Sequence, residues 1–351
     1  MNRDRPDKIT LIFLLFLIPV WGYSQTSNGK WDFQQRIILG FENDNNVREQ
    51  VGNNAVDNSL RFTLDSKISY KENRYYFQFS YLGGLQVYNE FAGENKVIHE
   101  PAVVFYGNSK ESTAGIKIGG RSKHINDNNT GYYSFYINPF WHRQLFGRTI
   151  LQTGVNFDML DYSYSSLYDY YDPAVYLKWL LRFSQVTIVP NFSAGQVYLN
   201  RKAILADSAG YSMGNEKQKD VIFSGGIFLD AYLQQFLINL SYNFVHNNSN
   251  SSGSSYSKHV FQIIAAKQFR FFMLRSYVTI EKKNYLDPFQ PGIPIDLDPE
   301  RNQSNYVVID FSRDFSRILA SFRFAWYKNE SIIPTQYYEK MLTSINLEFH
   351  L

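Results

Sequence analysis

The stretch "FLINLSYNFVHN", from Phe236 to Asn247, alternates residue by residue, and segments like it recur along the chain. Phe236, Ile238, Leu240, Tyr242 and Phe244 share one face, while Leu237, Asn239, Ser241 and Asn243 share the other. A period of two fixes extended backbone, because a helix brings every third or fourth residue to one side. "WDFQQRIILGFE" sets Trp31, Phe33, Ile37, Leu39 and Phe41 against Asp32, Gln34, Arg36 and Glu42. "SLRFTLDSKISYK" sets Leu60, Phe62, Leu64, Ile68 and Tyr70 against Arg61, Thr63, Asp65, Lys67 and Lys71. "RYYFQFSYLGGLQVY" and the final "MLTSINLEFHL" read the same way. The pattern predicts an all-β chain.

The breaks between segments alternate in length. Short ones fall near Asn73, after Asn108, and at Gly147, Gln185, Gln235, Phe269 and Asp314. Long ones include "NDNNVREQVGNNAVDN", "YSSLYDYYDP", "KAILADSAGYSMGNEKQK" (202–219), "NNSNSSGSS" and "DPFQPGIPIDLDPERNQSN" (287–305). Counting between breaks gives about 16 strands, an even number, as in an up-and-down barrel with tight turns at one end. The face opposite the apolar one carries Ser, Thr, Gln, Asn and Gly with spaced charges, which suits a hydrated interior better than the richly charged outside of a sandwich. In lipid every backbone group must pair within the protein, so such a sheet has to close. The expectation is a transmembrane up-and-down antiparallel β-barrel with its apolar face outward. Aromatics near segment ends suggest girdles: Trp31, Tyr70 and Tyr75 at one end, Phe41, Tyr88, Tyr162, Tyr164, Tyr285 and Tyr327 at the other.

The N-terminus reads as an export signal. A net-positive "MNRDRPDK" precedes the apolar "ITLIFLLFLIPVW", and Gly22 and Ser24 place small residues before a cleavage site ahead of Gln25. The apolar run is shorter than the ~20 residues of a spanning helix. Residues 1–24 are therefore expected to be removed, leaving 25–351 as a single barrel domain. With no cysteine, a disulfide framework and a thiolate metal site are excluded, and a net charge of +3 is too small to argue for nucleic acid.

The signal ending in "YSQ", the alternating strands and the terminal "INLEFHL" resemble a porin-like outer-membrane β-barrel protein of the Bacteroidota type, over nearly all of the mature chain. The resemblance implies the outer membrane of a Gram-negative envelope, contact with outer-membrane lipids and the barrel-assembly machinery, and no cofactor. It specifies architecture and leaves function open, because one fold serves many roles. Barrels of this kind usually end in an aromatic residue; here Phe349 keeps the outward phase and Leu351 is last. In porins a long inward loop narrows the pore, and 287–305 is the candidate by length and proline content.

Taking the apolar phase as lipid-facing assigns the lumen. Its basic candidates are Arg36, Arg61, Lys67, Lys117, Arg121, Lys178, Arg182, Arg275 and Arg323; its acidic candidates are Asp32, Asp65, Asp158, Asp230, Glu281, Asp310 and Glu348. On the lipid face at mid-depth a charge costs roughly 2–4 kcal/mol, so a shared phase supports the inward assignment. A mixed, slightly basic lining predicts passive diffusion of small hydrophilic solutes. The alternatives are a lumen closed by pairing of these charges, and a non-conducting barrel serving binding, assembly or surface export through segments such as 202–219. Enzyme signals are weak: the six histidines are scattered outside any HExxH motif, and no G-x-S-x-G elbow occurs. "FENDNNV" is similar to the "END" segment of outer-membrane lipid A deacylases, but their neighbouring pattern is missing. Glu42, Asp44 and Asn45 cluster oxygen atoms without the spacing of a calcium loop. No enzyme, metal or cofactor is expected.

Overall fold

The computed structural model describes residues 29–49, 55–126, 131–163, 165–207, 210–286, 305–329 and 338–351. The expected export segment, Tyr164 and most of the 287–305 loop lie outside them. The strands are β1 (Gly29–Asp44), β2 (Asp57–Glu72), β3 (Tyr75–Tyr88), β4 (Lys96–Asn108), β5 (Ser112–Ile125) and β6 (Gly131–Gln144). They continue as β7 (Thr149–Tyr162), β8 (Tyr170–Arg182), β9 (Val186–Asp207), β10 (Gly210–Leu233) and β11 (Phe236–Ser249). The last are β12 (Tyr256–Gln268), β13 (Met273–Tyr285), β14 (Asn305–Asp314), β15 (Ile318–Asn329) and β16 (Tyr338–His350). Each pairs antiparallel with its neighbours in sequence, and β1 closes on β16 from Arg36↔His350 to Asp44↔Leu342. The sheet is a closed 16-stranded barrel without a free edge.

Tight turns gather at one end, as the short sequence breaks predict. Those at 73–74 and 234–235 each hold a residue in the left-handed region, Asn73 (φ 46°) and Gln234 (φ 52°), which lets a two-residue loop follow the strand twist. Longer connections lie at the opposite end. One of the expected long loops is not a loop. Residues 202–207 and 210–219 continue β9 and β10, which reach 22 and 24 residues and pair down to Gly210↔Asp207. Register shifts between Met213 and Lys217, and again before Lys219, break the alternation that would have marked them as strand. The extension leans on the β11–β12 connection: the Ile204 N–H donates to Ser251 Oγ (3.0 Å) and the Ser252 N–H to the Ile204 carbonyl (2.8 Å).

Contacts that skip a strand identify the concave face. Gln86 on β3 donates to Glu42 on β1 (2.9 Å), and the Tyr176 hydroxyl on β8 donates to Asn138 on β6 (3.4 Å). Only the inside of a curved sheet brings second-neighbour side chains together. The convex face carries exposed apolar side chains on every side of the barrel, among them Leu60, Phe105, Phe135, Val175, Phe261 and Ile345. A continuous apolar surface of this extent needs a partner. Among the described residues no helix is long and apolar enough to cross a membrane. Two histidines share the convex face, each with a polar partner: Tyr81 Oη lies 2.6 Å from His99 Nδ1 and Tyr242 Oη 2.9 Å from His259 Nδ1.

The expected girdle at the long-loop end needs correction. Trp31, Tyr70, Tyr75 and Phe41 face outward, but Tyr88, Tyr162, Tyr285 and Tyr327 share the register rows of inward residues such as Ser59, Tyr132, Tyr256 and Tyr306. Nearness to a strand end does not decide the side a ring faces; phase does.

Candidate functional site

The strand register places Arg36, Arg61, Asp65, Lys67, Lys117, Arg121, Asp158, Lys178, Arg182, Asp230, Arg275, Glu281, Asp310, Arg323 and Glu348 on the concave face, together with Asp32. It does not bring them into one constellation. All but Asp230, which is on β10, fall on two opposed stretches of wall with different chemistry.

On β13–β16 and β1–β2 the charges are layered. Asp310 is sunk into the wall at 1% exposure and is held by Arg275 (3.3 Å) and Arg323 (3.2 Å), which are 31% and 44% exposed. Glu42, at 7%, lies beneath Arg61 (2.8 Å), at 38%. Arg36 covers Asp65 and reaches Glu348 (3.1 Å), which also meets His350 at 3.3 Å. Positive and negative groups nearly balance here, yet the surface presented to the interior is guanidinium. An Arg fork can hold a wall carboxylate with some N–H groups and leave others for a solute.

At the long-loop end of the same wall, Lys340 bonds buried Asp44 (2.9 Å) and Glu49 (3.0 Å), and Asp44 accepts from Tyr88 (3.3 Å). This ties the start of the β1–β2 connection to β16. Burial acts to raise the Glu49 carboxyl, but Lys340, then Lys96, outweigh it and hold it below the usual glutamate range. Glu42 and Asp44 are thus interior anions, each paired with a cation, Arg61 and Lys340 respectively.

The wall formed by β5–β8 is aromatic and less compensated. Lys117 Nζ lies 5.1 Å from the Tyr136 ring and Lys178 Nζ 5.5 Å from the Tyr176 ring. Among the described residues no carboxylate forms an ion pair with Lys117, Lys178 or Arg182 of this wall, nor with Lys67 on β2 of the opposite one. Tyr136 and Tyr176 lie flat because their register partners are glycines: a Cβ on Gly119 or Gly154 would come within 2.5 Å of the hydroxyl of Tyr136 or Tyr176. Flattened rings leave the axis open. Near the tight-turn end, Arg182 joins Arg148 in lining a cavity of about 560 Å³. Elsewhere Glu281 pairs with Lys258 (3.5 Å), Asp230 accepts from Asn239, and Asp32 accepts from Gln34 (2.9 Å).

Sequence reasoning passed over Glu100, which pairs with Arg121 (2.9 Å), Asp172, which is the register partner of Asp158, and the Lys340–Asp44–Glu49 cluster. Phase was the available signal: Lys340, eight residues before Glu348, shares its side of β16.

No protein-family model matches the chain, and no curated protein matches it. Solved structures similar to it include OpdK, an outer membrane protein from Pseudomonas aeruginosa, at 9% identity and a TM-score of 0.47, covering 91% of this chain and 99% of that one. A BenF-like porin from Pseudomonas fluorescens Pf-5 has 8% identity and a TM-score of 0.46, covering 92% and 99%. A loop-deletion mutant of OmpT, an outer membrane protein of Vibrio cholerae, has 8% and 0.46, covering 93% and 100%. At these values the likeness carries no functional argument.

Proposed function

We propose that this chain is a porin-like outer-membrane channel, of the Bacteroidota type and exported through cleavage of residues 1–24, that lets small hydrophilic solutes diffuse passively and favours anions. The observation that carries it is the layering described above: carboxylates are sunk in the wall while Arg36, Arg61, Arg275 and Arg323 remain 31–44% exposed. Side chains that plugged the lumen would be buried against one another. These are not. Cations facing a path with low-dielectric walls raise the local anion concentration. The apolar convex face supports the membrane setting, since barrels meet acyl chains with such a band.

Planar-bilayer recording of the purified protein tests this. Stable conducting steps with reversal potentials on the anion side are expected. The double variant Arg61→Glu, Arg121→Glu should move the reversal potential toward cations; conduction unaffected by it would remove these residues from the path. A barrel that never conducts would favour the docking alternative, to which the long β9–β10 hairpin offers a surface.

A further inference from the structure

At the tight-turn end of the convex face, β11–β15 carry a row of phenylalanines interleaved with cations. Lys267 Nζ sits between the rings of Phe236 (4.5 Å) and Phe269 (4.7 Å). Phe269 stacks on Phe272 across the β12–β13 turn at 4.7 Å, and Phe272 meets Phe311 of β14 at 6.2 Å. The Arg270 guanidinium lies 5.0 Å from the Phe271 ring, and that of Arg313 lies 5.0 Å from the Phe315 ring. Register puts Lys267 in phase with Phe261 and Ile263, and Arg313 in phase with Ile309 and Phe311, so both point outward with the apolar band. Phe271, Phe311 and Phe315 are 59%, 43% and 54% exposed.

We infer that this patch is a docking surface for the headgroups of anionic phospholipids. The inference rests on the reading above only for the bilayer around the convex face. Three observations point to it. The rings continue the apolar face without a break, so acyl chains that cover Phe261 and Ile263 bring their headgroups to the level of the turns. The ring type is also distinctive. At the same end of β1–β3, Trp31, Tyr70 and Tyr75 carry polar atoms of their own to that level, as girdle residues do. Phenylalanines have none, and cations supply the whole polar part. Charge is the third observation. Residues 267–273 and 311–318 hold Lys267, Arg270, Arg313 and Arg317 against a single acid, Asp314. Asp314 alternates with Arg313 onto the inward side and accepts from the Ser316 N–H at 2.7 Å. Among the described residues no carboxylate forms an ion pair with any of these four cations. A guanidinium resting on a ring keeps N–H groups at its rim for a phosphate. A zwitterionic headgroup is met less well: its ammonium finds no carboxylate, and the ring faces already hold cations.

The test is a titration of the full-length barrel, in neutral detergent, with dioleoylphosphatidylglycerol and separately with dioleoylphosphatidylcholine. The readout is the temperature at which the heat-modifiable band converts. A saturable rise with phosphatidylglycerol is expected, and little change with phosphatidylcholine. Replacing Lys267, Arg270 and Arg313 together by Gln should weaken the phosphatidylglycerol response by about a hundredfold, at about fivefold for each cation near an anionic surface. Arg270→Gln alone, at an exposed turn, should weaken it about fivefold and carries the test if the triple variant does not fold. Equal rises from the two lipids overturn the inference, and so does a phosphatidylglycerol response that both variants leave unchanged. Glycerol 3-phosphate giving the same rise overturns the lipid as the source of the phosphate. Sedimentation showing two copies joined in phosphatidylcholine, and separated by the triple variant, overturns it in favour of a second barrel. Bilayer recording separates this from the channel proposal: conduction by a barrel indifferent to phosphatidylglycerol refutes the docking surface alone, and a lipid response from a silent barrel refutes the channel alone.

Discussion

Replacing Asp310 by Asn tests the layered wall most directly. The carboxylate is 1% exposed and is shared by Arg275 and Arg323, which reach the interior. The substitution keeps the shape and adds one net positive charge behind two guanidiniums. For an ion passing ~8 Å away in water-like dielectric, a unit charge is worth about 0.5 kcal/mol, falling to about 0.2 kcal/mol with a Debye length near 10 Å. The charge acts with opposite sign on anion and cation, so their permeability ratio should rise by about two- to sixfold. Because both arginines retain water access, folding should survive, and heat-modifiable mobility checks that. The assay is the reversal potential of single channels under a salt gradient, with Arg323→Gln expected to move it the other way. A reversal potential unchanged in Asp310→Asn, or displaced toward cations, would refute the claim that these guanidiniums face the permeation path.

Other outcomes follow from the same geometry. Gly154→Leu should lower single-channel conductance, because even a Cβ there would lie 2.5 Å from both the Tyr176 hydroxyl and the Pro139 carbonyl, driving the ring off the wall at a cost of about 1–3 kcal/mol. Lys340→Met leaves fully buried Asp44 unpaired by that cation and should lower stability by about 3–5 kcal/mol, read as a lower temperature for conversion of the heat-modifiable band. Glu49 is held below its unfolded range, so its contribution is present above the unfolded value and lost as pH falls through the folded one. Protease cleavage in the β1–β2 connection should thus stay low from pH 8 to 5 and rise below about pH 4. Gln234→Gly relieves a positive φ of 52° and should raise resistance to urea by about 1 kcal/mol.

The architecture was legible because its two determinants are local. Alternation sets which side a residue faces, and turn residues such as Asn73 and Gly147 set where a strand ends. The inward phase of Arg61 or Arg323 could be read from nearest neighbours in the same strand. What could not be read this way depends on partners far away in sequence. Lys340 meets Asp44 only because β16 closes on β1, and Asp172 faces Asp158 only through the β7–β8 register. Tyr88 and Tyr162 look like girdle residues by position and are interior by phase. The 202–219 segment failed for another reason: bulges displace its side chains from strict alternation while the backbone pairing persists.

The seam has a consequence of its own. Leu351 N–H donates to the Gln35 carbonyl at 3.0 Å, so the two extremities of the sheet are neighbours at the tight-turn end. A chain recut in the 250–255 connection, with its old ends joined by a short linker, would contain every pairing of the native cylinder in a new order. Deleting either extremity instead would open a row of unpaired peptide groups along the full height of the structure.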